Sequence, residues 1–243
     1  MTNGDLQLSY KWTKQSIRWF AEASEYTNFH KNLADKISPY LKKEYTLCDV
    51  GCGLGRLDIF LAPYVSQITA IDSEKYVIDE LNKKAGDMNI SNINTVCADA
   101  RKSANPHDIF IMSFFGHNGE MESYFQQCRK KLIRIANASD TGTFYPKIYS
   151  RKNKSTIPII EKQLKEQGIT YRLLTETIEF GQPLRSEDDA KNFVIYNAPD
   201  ASSHEINQFL NVHAQNTGKR DFPIYIPNRK QIGIFIVNME EEK

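Results

Sequence analysis

Short apolar runs alternate along this chain with segments whose apolar positions recur every three or four residues. Tyr45–Val50, Gln67–Asp72, Ile93–Cys97 and Asp108–Met112 are runs of the first kind; their length and β-branched content predict buried strands. Tyr26, Phe29, Leu33, Ile37 and Leu41 line one face of an expected helix, and Val77, Ile78, Leu81, Ala85 and Met88 line another. Met121, Tyr124, Phe125, Cys128 and Leu132 have the same spacing and predict a third helix, with a fifth strand at Lys131–Asn137. A helix from Thr156 through Leu164 follows, with Pro158 tolerated in its first turn. Further strands are expected at Tyr171–Phe180 and Gly233–Val237. Strands that alternate with helices predict βαβ units and a mostly parallel sheet covered on both faces.

The connection after the first strand carries the chemistry. Asp49-Val-Gly-Cys-Gly-Leu-Gly-Arg56 places glycines at 51, 53 and 55, then opens a helical pattern at Leu57, Ile59, Phe60 and Leu61. Glycines there permit left-handed backbone and close approach of a ligand, and the helix that follows points free N–H groups into the turn. A dinucleotide turn spaces its glycines G-x-G-x-x-G. Arg56 stands where that third glycine belongs, which argues against a nicotinamide-dependent oxidoreductase. Asp72 ends the second strand about 20 residues beyond the turn, where a carboxylate can accept from both hydroxyls of a ribose. Asp99 follows the third strand and Ser113 the fourth. Gly51, Asp72, Asp99 and Ser113 thus all fall at carboxyl ends of strands, where ligands bind in such sheets.

Asp-x-Gly-x-Gly-x-Gly, followed in order by Asp72, Asp99 and Ser113, resembles the class I S-adenosylmethionine-dependent methyltransferases over roughly residues 45 to 140. The resemblance implies an α/β, Rossmann-like seven-stranded sheet whose last two strands pair antiparallel. It also implies S-adenosylmethionine as cofactor, leaving as S-adenosylhomocysteine. Gly51, Gly53 and Gly55 would shape the cofactor turn, Asp72 hold the ribose and Asp99 the adenine amino group. Asp49 would orient the turn or the methionine ammonium. Cys52, Ser73, Ala100 and Ser113 stand beside these in the same turns and belong to the same expected site.

The acceptor is less legible. Ser113-Phe114-Phe115-Gly116 lacks the prolines that base-directed methyltransferases carry after the fourth strand, and no Pro-Cys nucleophile occurs. DNA is therefore not an expected partner, and a small organic molecule is. His117 is the candidate general base, because an imidazole titrates near neutrality. Trp19 and Tyr26, with Tyr10, are candidate lid residues; Phe114 is a candidate pocket wall, and Arg185 a candidate partner for a carboxylate. A regulatory module that binds the cofactor without turnover is the competing class. A protein- or RNA-directed methyltransferase would be favoured only if Lys147, Arg151, Lys152 and Lys154 form a binding surface.

Composition narrows the setting. The 243 residues suit one substantial domain with a decorated substrate region. Lys plus Arg number 31 against 30 Asp plus Glu, so no global positive field argues for nucleic acid. No apolar run is long enough for a membrane span and the first residues do not read as a signal peptide, so cytoplasmic location is expected. Cys48, Cys52, Cys97 and Cys128 contain no C-x-x-C pair and are expected to be small buried thiols. No histidine has metal-ligand spacing, so no metal is expected.

The expected organisation is an N-terminal helical lid over 1–44, a cofactor-binding core over 45–182, a helical insertion over 183–222 and a closing strand over 223–243. The insertion carries two capping signals, Ser186-x-x-Asp189 and Ser202-x-x-Glu205, and an apolar face of Ile206, Phe209 and Leu210. It is expected to cap the substrate pocket.

Overall fold

A computed structural model describes residues 12–116, 120–138, 144–149 and 155–239. In chain order the helices and strands are α1 (Lys14–Thr27), α2 (Phe29–Ile37), β1 (Thr46–Val50), α3 (Arg56–Leu61), β2 (Gln67–Asp72) and α4 (Lys75–Asp87). Then come β3 (Ile93–Cys97), α5 (Ala100–Ser103), β4 (His107–Ser113), β5 (Cys128–Asn137), α6 (Ile157–Glu166) and β6 (Arg172–Glu179). The chain ends with β7 (Gln182–Leu184), α7 (Glu187–Asn197), α8 (Ser203–His213), β8 (Gln215–Asn216), β9 (Ile224–Ile226) and β10 (Arg229–Asn238).

Seven strands form one sheet in the order β3-β2-β1-β4-β5-β10-β6. Neighbours from β3 to β5 are parallel, whereas β10 runs antiparallel to both β5 and β6. Side chains of a strand alternate between faces, and this alternation divides the core in two. Leu47, Ile109, Ile111, Ile133, Ile234 and Ile236 pack on the side of α2, α3 and α4. Cys48, Val50, Phe110, Met112, Leu132 and Phe235 pack on the side of α6. Burial on both faces is why the central strands read as unbroken apolar runs. The expected seven-stranded α/β fold with N-terminal helices is the fold observed.

Three local expectations are corrected. No helix spans Met121–Leu132: a single 3-10 turn at Glu122–Tyr124 leads directly into β5, which begins at Cys128. The three- and four-residue spacing arose because Met121, Tyr124, Cys128 and Leu132 all serve the second core, from a turn and a strand. The N-terminal helix breaks at Asn28, whose left-handed backbone (φ 54°) separates α1 from α2. Among the cysteines, Cys48 and Cys128 are buried but Cys97 is exposed.

The segment after β6 carries the two expected helices, each opened by its serine cap: Ser186 Oγ accepts from Asp189 N–H, and Ser202 Oγ from Glu205 N–H. It also carries a three-stranded sheet, β7-β9-β8, that periodicity did not reveal because its strands are two or three residues long. Leu184, Ala190, Phe193, Val194, Ile206, Phe209 and Ile226 close around Trp19 of α1 to form a third core. Asp189 ties the same junction together. Its carboxylate accepts from Trp19 Nε1 (3.0 Å), from Arg185 N–H (3.0 Å) and from the Arg18 guanidinium. Burial opposes the charge on Asp189, yet Arg18 and these donors outweigh it and hold the carboxyl below its ordinary value. Among the described residues no helix is long and apolar enough to cross a membrane.

Candidate active site

A cavity of about 440 Å³ opens at the carboxyl ends of the parallel strands. Asp49, Gly51, Cys52, Gly53 and Asp72 form its floor, and Ser113, Phe114 and Phe115 enter from the end of β4. Trp12, Trp19 and Phe20 cover it from the N-terminal segment, His30 from α2, and Phe193, Tyr196 and Asn197 from α7. Phe180, Gln182 and Lys230 close the side beneath β6 and β10.

The glycine turn has the backbone its sequence demands. Gly51, Gly53 and Gly55 have φ of 75°, 53° and 57°, a region that L side chains adopt at a cost. Two amides of the turn, Gly51 N–H and Cys52 N–H, donate to Ile71 O of β2. Each glycine has a different neighbour. A Cβ on Gly55 would lie 2.4 Å from both terminal carbons of Leu81, so this glycine lets α3 start against α4. A Cβ on Gly51 would enter the ring of Phe115. On Gly53 the nearest atom would be Trp12 Cζ2 at 3.5 Å, which leaves the cavity side of that residue open.

Two acids frame the turn. Asp72 Oδ2 accepts from Gly53 N–H (2.9 Å) and Oδ1 from Glu74 N–H (2.9 Å), so this carboxylate fixes the turn as well as facing the cavity. Asp49 is fully enclosed and lies against Asp58 of α3, also fully enclosed. Asp49 Oδ1 and both Asp58 oxygens are buried without a hydrogen-bond donor among the described residues. Burial, then the mutual repulsion of two carboxylates, drives Asp58 well above its ordinary value. Burial raises Asp49 to about 7, although its hydrogen bond with Asp58 works the other way. The physical state that satisfies both is a protonated Asp58 donating to Asp49.

The aromatic half holds one cation. Lys230 Nζ lies 4.1 Å from the ring centre of Phe114, 5.2 Å from that of Phe180 and 5.7 Å from that of Phe29. Burial pushes its ammonium down to about 8. Phe114 reaches it from a left-handed backbone (φ 53°), a strained conformation for a bulky residue. His30 bonds Ser24 Oγ through Nδ1 at 2.7 Å. Burial, then the charges of Lys230 and Arg56, lower His30 to about 3, so its ring stays neutral.

Of the residues expected in the site, the structure brings Asp49, Gly51, Cys52, Gly53, Asp72, Ser113, Phe114 and Trp19 to one cavity. Gly55 stands behind it as the residue that opens α3. Asp99 and Ala100 follow Cys97, which pairs with Asp72, but neither lines the cavity, and Ala100 is buried in the second core. Asp99 caps α5 by accepting from Arg101 N–H and is held by the Arg101 guanidinium. Ser73 is exposed and does not line the cavity. Tyr26 stacks on Tyr225 at 5.1 Å, away from the cavity. The Arg185 guanidinium is committed to Glu22. His117, Tyr10, Arg151, Lys152 and Lys154 lie outside the described residues, and Lys147 is described in its backbone alone.

Asp58, His30, Gln182 and Lys230 escaped the sequence reading. Asp58 had a legible signal, an acid inside the apolar run Leu57–Leu61. Lys230 had none, since Arg229-Lys230-Gln231 reads as the solvated start of a strand.

With this geometry in view, comparison with known proteins gives a consistent class. Residues 47–133 match the family described as methyltransferase domain. Among solved structures, the YcgJ protein of Bacillus subtilis is similar at 12% identity and a TM-score of 0.57, covering 88% of this chain and 99% of that one. Magnesium protoporphyrin IX methyltransferase of Synechocystis, solved with S-adenosylhomocysteine bound, is similar at 13% identity and a TM-score of 0.54, covering 94% of this chain and 89% of that one. Among curated proteins none matches. The family match over residues 47–133 and the class I methyltransferase fold of the seven-stranded sheet both agree with the resemblance read from the glycine motif.

Proposed function

We propose that this protein transfers the methyl group of S-adenosylmethionine to a small organic acceptor. The observation that carries the reading is one continuous cavity whose floor is the open face of Gly53 between Asp49 and Asp72, and whose far half is aromatic. The residues present fit the cofactor: the open face of Gly53 admits a close ligand, and the carboxylate of Asp72 beside it suits a ribose diol. Gly51, Gly53 and Cys52 would seat it, Asp72 would accept from its ribose, and Asp99, after the neighbouring strand β3, would meet its adenine. Bound there, the cofactor supplies a methyl group already activated on a sulfonium.

The chain's own contribution is then positional. Holding two reactants in near-attack geometry accounts for much of such a reaction, because the leaving group needs no help. Trp19, Phe20, Phe114 and Phe193 would exclude water and hold a flat acceptor against Ser113. The inserted helices would act as the cap, since Phe193, Tyr196 and Asn197 of α7 already wall the cavity. His117, which follows β4, remains the candidate base where the acceptor must lose a proton; unchanged turnover in His117→Ala would remove it.

The test is to incubate the purified protein with methyl-labelled S-adenosylmethionine and a fractionated cell extract. Label appearing in a small-molecule fraction, and not with a Gly53→Ala protein, supports the reading. Label confined to protein or RNA fractions overturns it.

A further inference from the structure

Lys230 is unlike any other charged group in the cavity. It is the second residue of β10, and because β10 runs against its neighbours its first residues lie at the carboxyl ends of the parallel strands. Pairing with Ile178 of β6 fixes the backbone there. Among the described residues no ion pair joins its ammonium to a carboxylate, and the residue is half-buried in the cavity wall. Around the ammonium are instead the rings of Phe29, Phe114 and Phe180. Ring faces attract a cation but accept none of its three N–H donors as an oxygen would. A cation in such a wall is costly unless something entering the cavity pairs with it.

The position says which ligand that is. Asp72 stands on β2 and Lys230 on β10, with β1, β4 and β5 between them. Four inter-strand spacings of about 4.8 Å separate the two by roughly 19 Å. The acids therefore serve one end of the cavity and the lysine the other, on the acceptor side of Ser113. The neighbouring His30 is held neutral, and Arg56, which also lines the cavity, is paired with Glu25, so among the described residues Lys230 is the cation left to meet a ligand there. One ammonium among rings balances a monoanion and not a phosphate dianion.

Building on the methyl-transfer reading, we propose that Lys230 is the anion-recognising residue of the acceptor subsite, and that the acceptor is a flat, apolar molecule bearing a carboxylate. Phe114 and Phe180, which line the cavity, supply the apolar surface and the ammonium the orientation, with Phe29 packed behind them. Their arrangement favours an acid over its amide, because the amide leaves the ammonium uncompensated.

Matched probes test this: benzoate, 2-naphthoate and indole-3-acetate, each beside its neutral amide, titrated calorimetrically into the wild-type protein and Lys230→Met, with and without S-adenosylhomocysteine. We expect at least one acid to bind on the order of tenfold more tightly than its amide, about 1.4 kcal/mol. In Lys230→Met the preference should vanish while S-adenosylhomocysteine affinity stays within about twofold. Equal binding of every acid and amide by the wild-type protein overturns the proposal, as does a preference that survives in the variant. So does a tenfold loss of S-adenosylhomocysteine in Lys230→Met, which would make Lys230 a cofactor ligand. Failure of the wild-type protein to bind S-adenosylhomocysteine counts against the methyl-transfer reading instead, and the ligand-free titrations still report on Lys230. A second measurement needs no variant. The acid-to-amide ratio of the wild-type protein should shrink between pH 7 and about pH 9.5 as the ammonium deprotonates; a constant ratio overturns the proposal.

Discussion

Replacing Gly53 and Gly55 by alanine, one at a time, separates what the glycine turn does for the fold from what it does for a ligand. Both residues have left-handed backbone, at φ 53° and 57°, so either alanine costs about 1–2 kcal/mol of conformational strain. They differ in what the new methyl group meets. At position 55 it lies 2.4 Å from both terminal carbons of Leu81, a fully buried residue of the first core. Forcing Leu81 aside adds about 1–3 kcal/mol of overpacking, against a total stability on the order of 5–15 kcal/mol for a domain. At position 53 the methyl meets nothing nearer than Trp12 at 3.5 Å, an ordinary contact, and it projects into the cavity. Gly53→Ala should therefore melt only a few degrees below wild type, at about 2–4 °C per kcal/mol for a chain of this size. Its affinity for S-adenosylhomocysteine should nevertheless fall at least about tenfold, or 1.4 kcal/mol. Gly55→Ala should show the opposite balance, a large loss of melting temperature. Thermal melts and calorimetric titrations on the two variants supply both readings. Wild-type affinity in Gly53→Ala, or equal destabilisation by the two substitutions, would refute the reasoning.

The acid pairs make two predictions about pH. Asp49 and Asp58 have raised values in the folded protein, so the native state holds more protons than the unfolded chain, and their contribution to stability falls as pH rises from about 4 through 7. Asp58→Asn supplies a permanent donor to Asp49; denaturant titrations should find it more stable than wild type by about 1–3 kcal/mol at pH 8, with the advantage gone near pH 4. Asp189 is depressed, so its contribution is present above the ordinary carboxylate value and lost as pH falls below it. Asp189→Asn should cost about 1–2 kcal/mol at neutral pH, with Arg18 partly exposed, and nothing in strong acid. Limited proteolysis should then cut the α7–α8 segment faster, because α1 and α7 have lost their shared anchor; unchanged cleavage would show that the third core alone holds them.

How much of this was legible depended on whether one physical cause dominated a segment. The strands β1, β2 and β4 are largely buried on both faces, so burial wrote their apolar runs, whereas β3 at the sheet edge is at most half-buried. Residues 121–132 failed because a turn and a strand supply one core with a helix-like spacing. The sheet β7-β9-β8 escaped because two- and three-residue strands carry no period. In the site, Gly51, Gly53 and Asp72 were readable because backbone geometry dictates residue type at those places. Lys230 was not, since what distinguishes it is the convergence of Phe29, Phe114 and Phe180 from three distant segments. The ion pair of Arg185 with Glu22 was not legible either, because its partner comes from α1 and no local pattern announces it.

The most direct test of the central claim is calorimetric titration of ligand-free, folded protein with S-adenosylmethionine, S-adenosylhomocysteine and NAD. The account predicts that both sulfur ligands bind with micromolar or tighter affinity, roughly −8 kcal/mol or better, and that NAD does not bind. Binding of NAD alone, or of none of the three, would contradict it.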